Sequence, residues 1–414
     1  MAEMRPFPAI RANEKFADRI AALPYDVYNR QEAKHEIERE PLSFLRVDRA
    51  ETFFTDSVST YDACVYQKAH DVLRHMIEMG EFIRDEEPCY YIYELTMNGR
   101  SQTGIVACAG VDDYLNGIVM KHENTREDKE IDRIHHIQAC NAQTGPIFLA
   151  YQSDRIINEI VDKVRSTTKP IYDFTAKDGI SHRAWIVMDA IDIETIFRAF
   201  QEMEHIYIAD GHHRCASAVK VALSRRSENP EYTGAEPYNY VMSVLFPHDQ
   251  LMIMDYNRVI KDLGAYTPDS LLQKLESVFT IEKIGNKQYR PNRKGSFGMF
   301  LEDCWYHLQI RDAYCTGDAV KGLDVSILQD HVLNPLFHIE DPKTDQRIDF
   351  VGGIRGLEEL ERRVHTDCKV AFALYPTSIE ELFAVADEHQ LMPPKSTWFE
   401  PKLRSGLFIH DLEC

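Results

Sequence analysis

Along this chain the hydrophobic residues switch repeatedly between two spacings, and each switch marks a new element. Over residues 61–80, Val65, Ala69, Val72 and Met76 recur at intervals of three and four, the stripe of an amphipathic helix that Gly80 would end. The stretch CYYIYELTMNGRSQTGIVACAGV (89–111) then holds two apolar runs around Asn98-Gly99, a dipeptide that tolerates positive φ and closes a two-residue hairpin. Farther on, PIFLAY (146–151), HRAWIVM (182–188), HIYIA (205–209) and YNYVMSVLF (238–246) are apolar runs of strand length. Between and around them, IDRIHHIQACN, SDRIINEIVDKV, IETIFRAFQ and GHHRCASAVKVALSRR carry helical spacing. Ser153 or Asp154 is placed to cap the second of these helices, and Cys215, Val219 and Ala222 share a face of the last. This alternation predicts an α/β sheet, parallel or mixed, in the middle of the chain.

The flanks follow the same logic. A turn at Pro24 and a short helix near 30–40 are expected at the start. Beyond 260, LLQKLESVF and DVSILQDHVL read as helices, FGMFLE and CWYHLQI as paired strands, and RIDFVGGIRGLEELERRV as strand, glycine turn and helix. Ser378 and Glu381 stand at capping-box spacing before a helix with Ile379, Leu382, Phe383 and Ala386 on one face. FVGGIRG lacks the spacing of a dinucleotide fingerprint and the Lys-Ser/Thr of a P-loop, so its glycines read first as close packing.

Composition narrows the class. A chain of 414 residues, 44% hydrophobic, can bury two or three cores or one large α/β body. A net charge of −20 opposes broad nucleic-acid binding while allowing a phosphorylated ligand in a local cationic site. Nine cysteines without a CxxC pair read as thiols of a reducing compartment. No apolar run of signal-peptide or membrane-spanning length occurs, so a cytoplasmic protein without a membrane partner is expected.

The densest chemistry is IADGHHRCASA (208–218). Asp210 reads as the N-cap of the following helix, its carboxylate accepting from the N–H of His212 or His213. Gly211 permits a sharp turn or the close approach of a ligand. His212, His213 and Arg214 would fan over the first turn, where backbone N–H groups and the helix dipole favour anions. Arg214 offers a fork for a carboxylate or phosphate. Two adjacent histidines point about 100° apart on a helix, which makes them poor joint ligands of one metal.

These stretches carry a resemblance. RPFPAIRAN, LPYDVYN, KHENT, IADGHHR, MDYNRVIKDL and PPKSTWFEPKLRSGL resemble the family known as domain of unknown function 1015, within the ParB/sulfiredoxin-like superfamily. The resemblance implies a ParB/sulfiredoxin-like core with a mixed sheet, elaborated by N- and C-terminal α/β segments. The implied division is 1–115, 116–260 carrying KHENT and DGHHR, and 261–414 with a basic strap. The free-serine kinases of that superfamily are similar in having a His-Glu dipeptide upstream of a DGHHR-type corner, and they make O-phosphoserine using ADP or ATP. The matching residues here are His122 and Glu123, with Glu123 the implied catalytic base. The segment between Glu123 and Asp210 is longer than in those kinases, which leaves the acceptor open.

On that reading Glu123, Asp210, His213 and Arg214 are the catalytic set, and His122 and Arg126 contact the amino acid, with Arg133 an alternative to Arg126. Gly211, His212, Ser217, Lys395, Ser396, Thr397 and Lys402 would hold nucleotide or phosphate. Mg²⁺ would be bound through Asp210 and the nucleotide. Two other classes stay open: a nucleotide-binding regulator that transfers no phosphate, and a metal-dependent hydrolase using Asp210, His212 and His213.

Overall fold

A computed structural model describes residues 1–413. The chain divides into two compact bodies. Residues 1–121 and 125–251 and the described tail from Pro401 form the first, and residues 122–124 and 252–400 the second.

In the first body the larger sheet runs Val119–Met120, Ile206–Asp210, Ile147–Tyr151, Tyr240–Pro247, Arg100–Gly110, Tyr90–Met97, Ser181–Val187, Tyr172–Thr175. It is mixed. Ile206–Asp210 lies parallel to Val119–Met120, Tyr240–Pro247 lies parallel to Ile147–Tyr151, and the other pairs are antiparallel. The Asn98-Gly99 hairpin forms as predicted, with φ of 53° and 79° at its two turn residues. Asp154 is the residue that caps Arg155–Thr167, accepting from the N–H of Ile157 at 2.9 Å. The apolar stripes of Arg155–Thr167, Ala190–Gln201 and His212–Glu228 close on this sheet in one core containing Ile160, Val164, Phe200, Val219 and Ala222. Burial of such side chains is worth roughly 1.5–3 kcal/mol each, which makes this core the main source of stability for the first body.

Strands from residues 1–115 and from 116–251 therefore share one sheet, and the boundary expected at 115/116 falls inside it. The tail also departs from the expected division. Phe408–Asp411 inserts between Ile10–Ala12 and Ala142–Gln143 in a small sheet, so the last residues belong to the first body and not to a C-terminal domain.

The second body is built on an antiparallel sheet in the order Phe279–Gly285, Cys304–Ile310, Ser296–Leu301, Val370–Ala373, Tyr256–Ile260, Ile348–Gly352. Gly356–Thr366 covers it through Leu357 and Leu360. The predicted Ser378–Glu381 capping box is present. The glycines of FVGGIRG serve packing: a Cβ on Gly352 would lie 2.7 Å from the Trp398 ring, and one on Gly353 would collide with the Asp255 carboxylate. The Gly352→Ala variant is expected to lose about 1–3 kcal/mol of stability through overpacking. Urea unfolding followed by tryptophan fluorescence reads both the loss and any displacement of Trp398.

Candidate functional site

The site begins with an irregularity in the sheet. Ile206–Asp210 pairs with Ile147–Tyr151 through Tyr207↔Ala150 and Ile208↔Leu149, and the register then shifts so that Asp210 faces Phe148. A bulge of this kind re-aims the residues after it. Asp210 is thus the last strand residue, and Gly211, at φ 95° and ψ 28°, is the N-cap of His212–Glu228. This corrects the expected cap. Gly211 has no side chain with which to cap this helix; the Asp210 Oδ1 accepts from the N–H of Gly211 at 2.9 Å, and its Oδ2 pairs with the Lys402 Nζ at 3.1 Å. Burial would raise the Asp210 carboxyl, but Lys402, Arg214 and His212 outweigh it and hold the group well below the usual carboxylate range.

The glycine has a second use. Arg214 does not fan outward but folds back across Gly211, its Nη2 3.0 Å from where a Cβ would stand, and its Nη1 donates to the Pro146 carbonyl. The Gly211→Ala variant is therefore expected to lose about 1–2 kcal/mol from left-handed backbone strain alone and to displace Arg214. Equilibrium unfolding with a crystal structure of the variant checks both parts.

The remaining corner residues are committed to specific partners. His213 Nε2 accepts from the backbone N–H of Arg126 at 3.0 Å, so the ring tethers the segment before Glu127–Cys140. His212 is buried. Ser217 is fully buried, and its hydroxyl bonds the carbonyls of His213 at 2.7 Å and Glu130 at 3.0 Å. It ties two helices together rather than facing an opening, which departs from the phosphate-binding role expected of it. The Arg126 side chain is exposed and pairs with Asp128 at 2.9 Å. Of the two arginines considered for the acceptor's carboxylate, only Arg133 is buried.

The structure adds an ion pair that the pattern did not single out. Glu130, buried on the same helix as Arg133, pairs with Lys220 and accepts from the Thr125 hydroxyl. Burial alone would raise its carboxyl, but these partners bring it below its ordinary value. Its only signal in the sequence was membership of the charged run KHENTREDKE.

The other expected residues lie in the second body. His122 is buried, Glu123 is half-buried, and the His122 carbonyl accepts from the N–H of Met392 at 2.8 Å, which joins KHENT to the start of PPKST. Lys395 is exposed at φ 60°, with its Nζ 5.9 Å from the centre of the Tyr256 ring. The Ser396 hydroxyl donates to the Pro393 carbonyl at 2.6 Å, the Ser396 carbonyl accepts from Thr377 at 3.0 Å, and Thr397 is half-buried. Arg258 of MDYNRV is buried and donates to the carbonyls of Tyr256, Pro394 and Lys395, so it shapes the strap.

Among the described residues no group of three or more His, Cys, Asp or Glu side chains is arranged to hold a metal ion, and none of their helices is long and apolar enough to cross a membrane. Asp210, the one carboxylate of the DGHHR corner, already faces Lys402 and Gly211, so this donor set does not make a magnesium cage by itself.

Comparison with known proteins places the chain in a family. No curated protein matches it in sequence. Among solved structures it is similar to a mutant free serine kinase in complex with ADP, at 13% identity, 73% of this chain, 92% of the other and a TM-score of 0.39. It is also similar to a free serine kinase in complex with AMP, at 14% identity, 73% and 91% coverage and a TM-score of 0.38. A third likeness is to SbnI with a C-terminal truncation from Staphylococcus aureus, at 11% identity, 71% and 82% coverage and a TM-score of 0.36. The model of the family described as protein of unknown function, DUF1015, matches residues 4–326, more than half of the chain, and the protein belongs to that family.

Proposed function

We propose that this protein is a small-molecule kinase that transfers a phosphoryl group from ATP or ADP to the hydroxyl of free L-serine, giving O-phosphoserine. The observation that carries the reading is the corner itself. A left-handed Gly211 opens a 17-residue helix, and Lys402 is delivered from the tail onto Asp210 beside Arg214. A helix N-terminus flanked by two cations favours phosphate oxygens. The resemblance of KHENT and DGHHR to the serine-kinase motifs supplies the rest of the reading.

In the proposed step the serine hydroxyl oxygen forms a bond to the terminal phosphorus as the bridging P–O bond breaks. The bond's electron pair leaves with ADP, or with AMP when ADP is the donor. Glu123 takes the hydroxyl proton. Lys402 and Arg214 offset negative charge on the transferred group, and Lys395, Ser396 and Thr397 contribute from the strap. His213 acts by holding the segment at Arg126, and His122 sets the backbone before Glu123. Magnesium would enter with the nucleotide, and no step is assigned to it.

The test is incubation of the protein with ATP or ADP, Mg²⁺ and a panel of amino acids, read by phosphorus NMR and mass spectrometry. O-Phosphoserine appearing with serine alone supports the assignment. Tight nucleotide binding without any phosphorylated amino acid would replace it with a nucleotide-dependent regulator.

A further inference from the structure

Within the first body lies a cavity of about 30 Å³ whose mostly apolar wall carries a few buried polar side chains. That is space for about two waters, close to the bulk of one ammonium and one carboxylate group. Tyr25, Asp48, Arg133, Thr144 and Ser405 line it, and each is at least nine-tenths buried. They arrive from separate parts of the chain: Tyr25 from LPYDVYN, Arg133 from the helix after KHENT, and Ser405 from the tail.

Two of the lining side chains, Asp48 and Arg133, are of opposite charge and act on one another. Asp48 Oδ1 accepts from the Thr144 hydroxyl at 3.0 Å, and the Ser405 hydroxyl lies beside the carboxylate. Burial raises the Asp48 carboxyl, and the charges of Arg133 and Arg214 act against that rise. Arg133 spends Nε and Nη2 on Asp132, at 3.0 and 2.8 Å, and stacks its guanidinium 4.0 Å from the centre of the Tyr25 ring. Buried charge is costly unless neighbours or a ligand complete its polar contacts.

The opening has a direction. Of the lining residues only Gly145 and Arg214 are half-buried, the rest buried. Arg214 is the side chain folded under Gly211, so its guanidinium stands between the cavity and the DGHHR corner.

We propose that this cavity seats the head group of a free α-amino acid, with Asp48 receiving the α-ammonium and Arg133 and Tyr25 receiving the α-carboxylate. The side-chain hydroxyl then lies toward Gly145 and Arg214, where phosphate arrives. The inference rests on the kinase reading for the fate of that hydroxyl and deepens it by naming the acceptor's recognition groups. A cavity of this size admits the head group of a small zwitterion and leaves no room for a peptide, so it selects free amino acids.

The experiment compares wild-type protein with Asp48→Asn and Tyr25→Phe, both close in shape to the native side chains, with Arg133→Lys as a third variant. The acceptor KM is expected to rise at least 30-fold in Asp48→Asn and about fivefold in Tyr25→Phe, while the nucleotide KM stays within twofold. Glycerate, which has a hydroxyl in place of the ammonium, provides a readout that general loosening would not move: Asp48→Asn should shrink the preference for L-serine over glycerate at least tenfold. An unchanged acceptor KM and unchanged preference in a folded Asp48→Asn protein overturns the cavity assignment and leaves the kinase reading intact. If wild type phosphorylates no amino acid, calorimetry with L-serine decides separately. Binding that Asp48→Asn abolishes supports the cavity while the kinase reading fails, and no binding to wild type overturns the cavity.

Discussion

The Glu123→Gln variant is expected to lose phosphoryl transfer by about 100- to 10,000-fold while binding nucleotide as the wild type does. Glutamine keeps the shape and hydrogen-bonding reach of glutamate but cannot take a proton from the attacking hydroxyl. Glu123 is half-buried and follows a backbone position held by Met392, so a neutral isostere should leave the local structure in place. Turnover under saturating nucleotide, paired with calorimetric titration of ADP, separates the two effects. Wild-type turnover in this variant would remove Glu123 as the base and with it the present form of the mechanism.

Acidification should destabilise the first body steeply below about pH 6.5. His136 and His182 are buried, and both are pushed down to about 3: burial is the main cause, with Arg133 adding to it for His136 and Arg404 for His182. In the unfolded chain both return to their ordinary value near 6.5. Between those limits the unfolded state binds protons that the folded state refuses, so stability falls as pH falls. Two such groups give a slope of up to about 2.7 kcal/mol per pH unit in the middle of the window. Asp48 works in the opposite sense, since burial raises its carboxyl and protonation relieves it. Urea unfolding at pH 7 and pH 5 measures the net slope, and His182→Gln should cut it by about half. A flat profile between those pH values would refute the assignment of neutral imidazoles to these sites.

The two histidines also show why chemical residues are hard to rank from a linear text. His182 sits in an alternating strand, HRAWIVM, where its neighbours predict burial but not its partners. In the fold its Nδ1 lies 2.8 Å from the Tyr93 hydroxyl, and its Nε2 lies 3.3 Å from Nε of Arg404, which is 222 residues away. Asp210 shows the same limit at shorter range. Its identity and its place beside a glycine suggested an N-cap, but a bulge in the preceding strand moves the cap by one residue and turns the carboxylate to Lys402, 192 residues distant. Ser217, expected at an opening, faces two carbonyls because the helix carrying it packs on Glu127–Cys140.

Local order was legible from the residues alone. The Asn98-Gly99 hairpin, the Asp154 cap, the Ser378–Glu381 box and the buried stripe of the helix at Ala63–Glu78 each depend on interactions within a few positions, where the constraint is steric or a short hydrogen bond. What only the tertiary structure decided is which distant charges meet. The pairing of Phe408–Asp411 with Ile10–Ala12 brings Ser405 and Lys402 back to the first body, and the cavity then gathers Tyr25, Asp48 and Arg133 around a shared space. Read singly, each of those residues has the polarity of an ordinary surface group; enclosure removes water from them, so that distant neighbours come to set their charge.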